Sequence, residues 1–175
     1  MDKAITIPES CVDLDVPFTE RDDVLKHLSG LLEQCGCIEP PYAQAVIERE
    51  RSFPTGLSFK SIAIAIPHAD SDCVRMSSLA IGRCTAHPLF NSMEHPNETI
   101  AVDVVVLLAL KSPETHLTML SNLINFFTVD ENCAAIRLAD NPSVVRQFVE
   151  QALYGKKGRQ HEQDGAGFSE DAGKE

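Results

Sequence analysis

One histidine stands where its side chain could do chemistry. His68 follows a proline at the end of the mostly apolar run SIAIAI, residues 61–66, and Arg49, Arg51 and the turn Pro54-Thr55-Gly56 lie upstream. A neutral imidazole is a nucleophile, and its ordinary pKa of about 6.5 leaves it mostly neutral near pH 7. A histidine at a strand end can equally be structural, so this position alone leaves both interpretations open.

The surrounding pattern predicts how these side chains would be positioned. Residues 61–66 predict a short buried strand that ends at Pro67. Such a rigid exit could hold one nitrogen of the His68 ring by a hydrogen bond and leave the other facing solvent. The segment EPPYAQAVIERERSF predicts a helix with Arg49 and Arg51 in its last turn, where cations suit the helix dipole.

Further helices and strands predict a layered α/β domain. An early helix is capped by Thr19 and ended by Gly36, and two short helices near the end are split around Asn141-Pro142. SSLAIGRC and IAVDVVVLLAL, residues 77–84 and 100–110, are strand candidates. The second is apolar enough to be central in a sheet covered on both faces.

A helix with a compact start signature begins after the last of these strands. Ser112 is its predicted cap and a proline takes its first position, which places His116 in the first turn. Free backbone N–H groups at such a helix start can bind an anion. The residues predicted to face the core are Leu117, Leu120 and Ile124.

Composition excludes several classes of partner. The 175 residues carry a formal net charge of −11, which argues against nucleic acid and against an anionic membrane surface. The longest apolar run is far shorter than the roughly 20 residues that span a bilayer, and the N-terminus has no secretory pattern. We therefore expect a cytoplasmic protein with reduced cysteines and with partners that carry basic faces.

The spacing of the cysteines and histidines does not favour a metal site. Cys35, Cys37, Cys84, His87 and His95 supply only fragments of the paired ligand units that structural zinc sites use. The chain also has no Gly-rich phosphate loop and no serine nucleophile elbow. We expect no metal, nucleotide or other cofactor.

Two motifs resemble a known family. RERSFPTGL, residues 49–57, and IAIPHAD, residues 64–70, are similar to motifs of the enzyme IIA component of the sugar phosphotransferase system, in the fructose–mannitol superfamily. The spacing between them looks most like galactitol-type members. SPETHLTML, residues 112–120, extends the likeness more weakly.

The resemblance implies roles for particular residues. His68 would accept a phosphoryl group from the phosphocarrier HPr and pass it to a cysteine of the IIB component, through which the chain could associate with a membrane IIC component. Arg49 falls on the arginine of the family's Arg-Glu motif and would stabilise the phosphate. His116 matches a second active-site histidine of mannitol-type relatives, where galactitol-like members can have glutamine, and would help to hold the phosphate. Arg51 and Thr55 are further candidate phosphate contacts.

The resemblance also implies the fold and leaves two alternatives open. It implies a three-layer α/β/α sandwich, with a mixed sheet flanked by helices, over residues 1–155. The polar, Gly-rich residues 156–175 predict a disordered tail. In one alternative, the chain is a nitrogen-type regulatory protein controlled by its phosphorylation. In the other, it is a binding module whose His68 is never phosphorylated.

Overall fold

This computed structural model describes residues 5–154 of the chain. These residues contain seven strands, five α-helices and two short 3₁₀ helices. The strands are β1 (Val12–Val16), β2 (Gly56–Ser58), β3 (Ala63–Ala65), β4 (Ser78–Cys84), β5 (Leu89–Asn91), β6 (Thr99–Ala101) and β7 (Val104–Ala109). The helices are α1 (Arg21–Gln34), α2 (Pro41–Ser52), α3 (Pro113–Phe127), α4 (Asp130–Leu138) and α5 (Pro142–Leu153). The predicted tail, residues 156–175, lies outside the described residues.

Five of the strands form one mixed sheet in the order β1-β4-β7-β3-β2. β4 is antiparallel to β7, whereas β3 is parallel to it. At the edges, β1 is parallel to β4 and β2 is antiparallel to β3. The apolar strand β7 is central, as its sequence predicts. β5 and β6 pair with each other in a small separate sheet.

Helices cover both faces of the five-stranded sheet. Alternate residues of β7 enter two different cores, one with Val104, Val106 and Leu108 and the other with Val105, Leu107 and Ala109. The first core contains the buried residues of α3, α4 and α5, and the second contains those of α1 and α2. Because side chains alternate across a strand, one apolar strand can serve both cores. The predicted three-layer α/β/α sandwich is confirmed.

Two features of the strands differ from the sequence prediction. β1 is not predicted, although Val12, Leu14 and Val16 alternate with aspartates and are buried. The segment 100–110 forms two strands in different sheets instead of one. Asp103 separates them: its backbone N–H donates to the carbonyl of Ala63 at 2.8 Å, and its carboxylate accepts from the N–H of the same residue at 2.9 Å.

The ends of α1 confirm one prediction and shift another. Gly36 follows the helix with a φ of 71°, the left-handed conformation in which glycine commonly ends helices. The start lies at Arg21, two residues after the predicted cap at Thr19. The backbone N–H of Val24 donates to the carbonyl of Glu20, which occupies the cap position.

The predicted buried stripe of α3 is wrong at its first member. Leu117 is 74% exposed, whereas Leu120 and Ile124 are partly buried and pack against the core. The residues that α3 buries fully are Met119, Leu123, Phe126 and Phe127. Leu117 therefore lies outside the core, and helical spacing alone does not show where the core ends.

Gly56 lies where two backbones approach too closely for a side chain. A Cβ atom at this position would be 2.6 Å from the carbonyl oxygen of Asn91. The carbonyl of Gly56 also accepts a hydrogen bond from the N–H of Met93 at 2.8 Å. Any side chain here must displace the backbone of the β5–β6 hairpin.

We expect Gly56→Ala to lower the free energy of unfolding by about 1–3 kcal/mol, because the added methyl group must move the Asn91 carbonyl. Gly30→Ala is the matched control, since a Cβ atom there would meet nothing within 4 Å. That change should stabilise α1 by about 0.5–1 kcal/mol. Urea unfolding measures both. Equal stability of Gly56→Ala and the wild type would contradict the close approach.

Candidate active site

The backbone on both sides of His68 is fixed by the sheet and by a buried tyrosine. The N–H of Leu108 in β7 donates to the carbonyl of Pro67 at 3.0 Å, and His68 and Leu108 form a parallel bridge. The hydroxyl of Tyr42 accepts from the N–H of Ala69 at 3.2 Å and donates to the carbonyl of Leu108 at 2.6 Å. Tyr42 lies in α2 and is fully buried. The segment that carries His68 is therefore tied to β7 and to α2.

The ring of His68 has a defined proton position. Its Nδ1 lies 2.9 Å from the carbonyl oxygen of Ile66. A carbonyl oxygen can only accept a hydrogen bond, so Nδ1 carries the proton and donates it. In the neutral ring Nε2 then holds the lone pair, which makes Nε2 the nucleophilic nitrogen.

An open cavity brings His68 together with two other predicted site residues. Its walls include Arg49 from the last turn of α2 and His116 from the first turn of α3. The remaining residues of the wall are Ala69, Asp70, Asp72, Pro113, Leu117 and Leu120. The three residues that the resemblance singles out most strongly thus line one cavity.

Burial and nearby charge keep His68 neutral. Burial lowers the pKa of His68, and the guanidinium of Arg49 lowers it further. The hydrogen bond to Ile66 and the carboxylate of Asp70 act in the opposite direction, but the net pKa stays below the ordinary value. The neutral, nucleophilic form of the ring is therefore favoured near pH 7.

His116 lies beside His68 with a buried nitrogen. The two ring centroids are 5.2 Å apart and the rings are tilted by 36°. Burial lowers the pKa of His116, and His68 and Arg49 lower it further. Within residues 5–154, the buried Nε2 of His116 has no hydrogen-bond partner. A buried polar atom without a hydrogen-bond partner is unusual in a folded protein.

Arg49 is the cation of the cavity wall. Its guanidinium carbon lies 5.2 Å from the ring centroid of Phe53, within the range of a cation–π contact. Among the ion pairs formed by residues 5–154, none includes Arg49. Its donors can therefore bind an anion that enters the cavity.

The other two candidate phosphate contacts are engaged elsewhere. The Nη2 atom of Arg51 donates to the carboxylate of Asp22 in α1 at 2.6 Å. Thr55 is buried, and both its N–H and its hydroxyl donate to the carboxylate of Glu50, at 2.8 and 2.9 Å. The wall of the cavity described above does not contain Arg51 or Thr55. The structure thus places Thr55 behind His68 instead of over it.

The sequence prediction missed several neighbours of the site. Asp70 and Asp72, which follow His68 closely along the chain, lie in the cavity wall. Tyr42 and Glu50 are buried polar residues of α2. A usable signal exists for Glu50, because it follows the buried Val46 by four positions and so shares the apolar face of the helix.

The described part of the chain shows neither a cluster of metal ligands nor a membrane-spanning helix. Among residues 5–154, no group of three or more histidine, cysteine or acidic side chains is arranged to hold a metal ion. None of the helices in this range combines the length and the apolar character needed to cross a bilayer.

Sequence comparison identifies relatives of this chain. The family model for the phosphoenolpyruvate-dependent sugar phosphotransferase system, EIIA 2, matches residues 6–152. The galactitol-specific EIIA component of Escherichia coli strain K12 is 31% identical over 105 residues, which cover 60% of this chain and 69% of that protein. Multiphosphoryl transfer protein 1 of the same strain is 30% identical over 114 residues, 63% of this chain and 13% of that protein.

Solved structures share the fold at lower identity. The nitrogen regulatory protein IIA-Ntr of Neisseria meningitidis superposes with a TM-score of 0.69 at 20% identity, covering 82% of this chain and 95% of that one. The complex of enzyme IIA-Mtl with phosphorylated enzyme IIB-Mtl of Escherichia coli gives 0.66 at 19% identity, covering 83% of this chain and 98% of that one. These structures show the shared fold. The family match over residues 6–152 and the identity with the galactitol-specific component show that the chain belongs to the type 2 EIIA family of the sugar phosphotransferase system, close to its galactitol-type members.

Proposed function

We propose that this chain is a cytoplasmic phosphohistidine carrier in carbohydrate uptake. His68 accepts a phosphoryl group from an HPr-like phosphocarrier and passes it to a cysteine of a IIB component. Membership of the EIIA 2 family supports phosphoryl transfer in general. The observation that carries the assignment to His68 is the hydrogen bond from its Nδ1 to the Ile66 carbonyl, which leaves Nε2 as the nucleophile of a ring that lines the cavity.

The transfer needs few chemical steps. The lone pair of His68 Nε2 attacks phosphorus, and a nitrogen–phosphorus bond forms as the bond between phosphorus and the donor breaks. A thiolate of the IIB component then attacks the same phosphorus and returns the electron pair to Nε2. Because the neutral ring already has its lone pair on Nε2, no separate base is required.

Arg49 and His116 stabilise charge in this proposal. Catalysis of phosphoryl transfer depends mainly on positioning and on neutralising the transferred oxygens. Arg49 offers a planar fork of N–H donors that matches two phosphate oxygens. A nitrogen of His116, at the start of α3, offers a further donor beside His68.

The rim of the cavity suits protein partners. Leu117 and Phe53 are 74% and 64% exposed. Leu117 belongs to the cavity wall, and Phe53 contacts Arg49. Exposed apolar side chains around a reactive group are covered when a partner protein docks. The solved complex of enzyme IIA-Mtl with phosphorylated enzyme IIB-Mtl supports a IIB component as one such partner.

The direct test is intact-protein mass spectrometry after incubation with phosphoenolpyruvate, enzyme I and HPr. We expect one acid-labile phosphoryl group on the wild type and none on His68→Ala. His95→Ala, which changes a histidine outside the cavity, is the control and should be phosphorylated normally. An unphosphorylated wild type beside an active control carrier would contradict the proposal and favour a binding module. Transfer of the phosphoryl group from His68 to a IIB cysteine would distinguish a transport component from a purely regulatory protein.

A second test addresses the phosphate-stabilising cation. We expect Arg49→Gln to slow phosphorylation of His68 by about 100-fold, in line with the loss of one oxyanion donor. Arg51→Gln is the matched control, because Arg51 pairs with Asp22 and should leave the rate within about twofold. Rapid-quench kinetics with labelled phospho-HPr measures both rates. Equal rates for the two variants would remove Arg49 from the mechanism.

A further inference from the structure

A series of hydrogen bonds, joined through the backbone of Ile66, lies behind His68 and begins at a buried carboxylate. The two oxygens of Glu50 accept from the N–H and the hydroxyl of Thr55 at 2.8 and 2.9 Å. The hydroxyl oxygen of Thr55 in turn accepts from the N–H of Ile66 at 3.0 Å. The carbonyl of Ile66 accepts from Nδ1 of His68. Two residues, Thr55 and Ile66, therefore connect the carboxylate of Glu50 to the ring of His68.

Burying the carboxylate of Glu50 costs free energy of folding. Its side chain is 1% exposed and lies on the apolar face of α2. Burial raises the pKa of Glu50 to about 7, although the bonds from Thr55 oppose this rise. A buried carboxyl group is disfavoured unless its oxygens are satisfied, and an apolar residue would pack on this face at no such cost. The hydrogen bonds that lead from Glu50 to His68 offer a functional reason for a carboxylate at this position.

The Thr55 hydroxyl can orient Ile66 only if its single proton is committed elsewhere. That proton points to Glu50, so the lone pairs of the oxygen are directed to the N–H of Ile66. On the other side of Ile66, the Pro67 carbonyl accepts from Leu108. The peptide group before Ile66 and the one after Pro67 are thus both held. The Ile66–Pro67 peptide group between them has little freedom to turn, so the Ile66 carbonyl keeps its direction toward His68.

We propose that Glu50 is a positioning residue, which acts through Thr55 and Ile66 to keep the His68 ring in the tautomer with its proton on Nδ1. Glu50 directly follows Arg49, so one turn of α2 places the phosphate-binding cation in the cavity wall and also orients the nucleophile behind it. The catalytic part of this inference rests on the proposed function, whereas the effect on the tautomer does not.

The test compares Thr55→Val with Thr55→Ser. Valine has nearly the shape of threonine and lacks the hydroxyl, whereas serine keeps it. In Thr55→Val, nitrogen-15 NMR of the unphosphorylated protein should show a mixture of His68 tautomers, and phosphorylation by phospho-HPr should slow by about tenfold or more. Thr55→Ser should keep the wild-type tautomer and rate. If serine keeps both and valine loses both, the effect comes from the hydroxyl and its hydrogen bonds and not from a change in packing.

Circular dichroism and urea unfolding establish that each variant is folded. A folded Thr55→Val protein with the wild-type tautomer and rate would overturn the inference. If Thr55→Val does not fold, Glu50→Gln replaces it. Glutamine has one acceptor oxygen where glutamate has two, so it cannot accept both hydrogen bonds from Thr55. A wild-type tautomer in Glu50→Gln would again overturn the inference. If the wild type takes up no phosphoryl group, the proposed function fails, while the tautomer measurement still tests Glu50.

Discussion

The hydrogen bond between Nδ1 of His68 and the carbonyl oxygen of Ile66 is the interaction on which the site depends. Since a carbonyl oxygen has no proton to offer, the bond decides which ring nitrogen is protonated and which is nucleophilic. The bond requires that the carbonyl keep its direction. The ladder between β3 and β7, and the hydroxyl of Tyr42 between Ala69 and Leu108, provide that constraint from outside the cavity.

The other groups reach the cavity because several elements end at the same place. His68 follows β3, Arg49 lies in the last turn of α2, and His116 lies in the first turn of α3. The two helices cover opposite faces of the sheet. The cavity forms beyond the end of β3, where residues from both helix layers meet. Such an arrangement suits a reaction that is accelerated by holding a phosphoryl group between a nucleophile and positive donors.

His68 and Arg49 could be singled out in the sequence because each lies in a short motif, and both line the cavity. The central place of β7 follows from its apolar run. Other features depend on how side chains meet in three dimensions, which local patterns do not encode. The hydroxyl of Thr55 looks available in a turn, yet it donates to the carboxylate of Glu50 in the folded chain. Helical spacing groups Leu117 with the buried residues of α3, but the edge of the core leaves it exposed.

In the proposed function, Nε2 of His68 is the nitrogen that receives the phosphoryl group. The most direct measurement is heteronuclear NMR of protein labelled with nitrogen-15 in its histidine rings, recorded before and after phosphorylation. We expect coupling between phosphorus and Nε2 of His68, with the proton on Nδ1 in both states. Phosphorus bound to Nδ1 of His68, or to a nitrogen of His116, would contradict it.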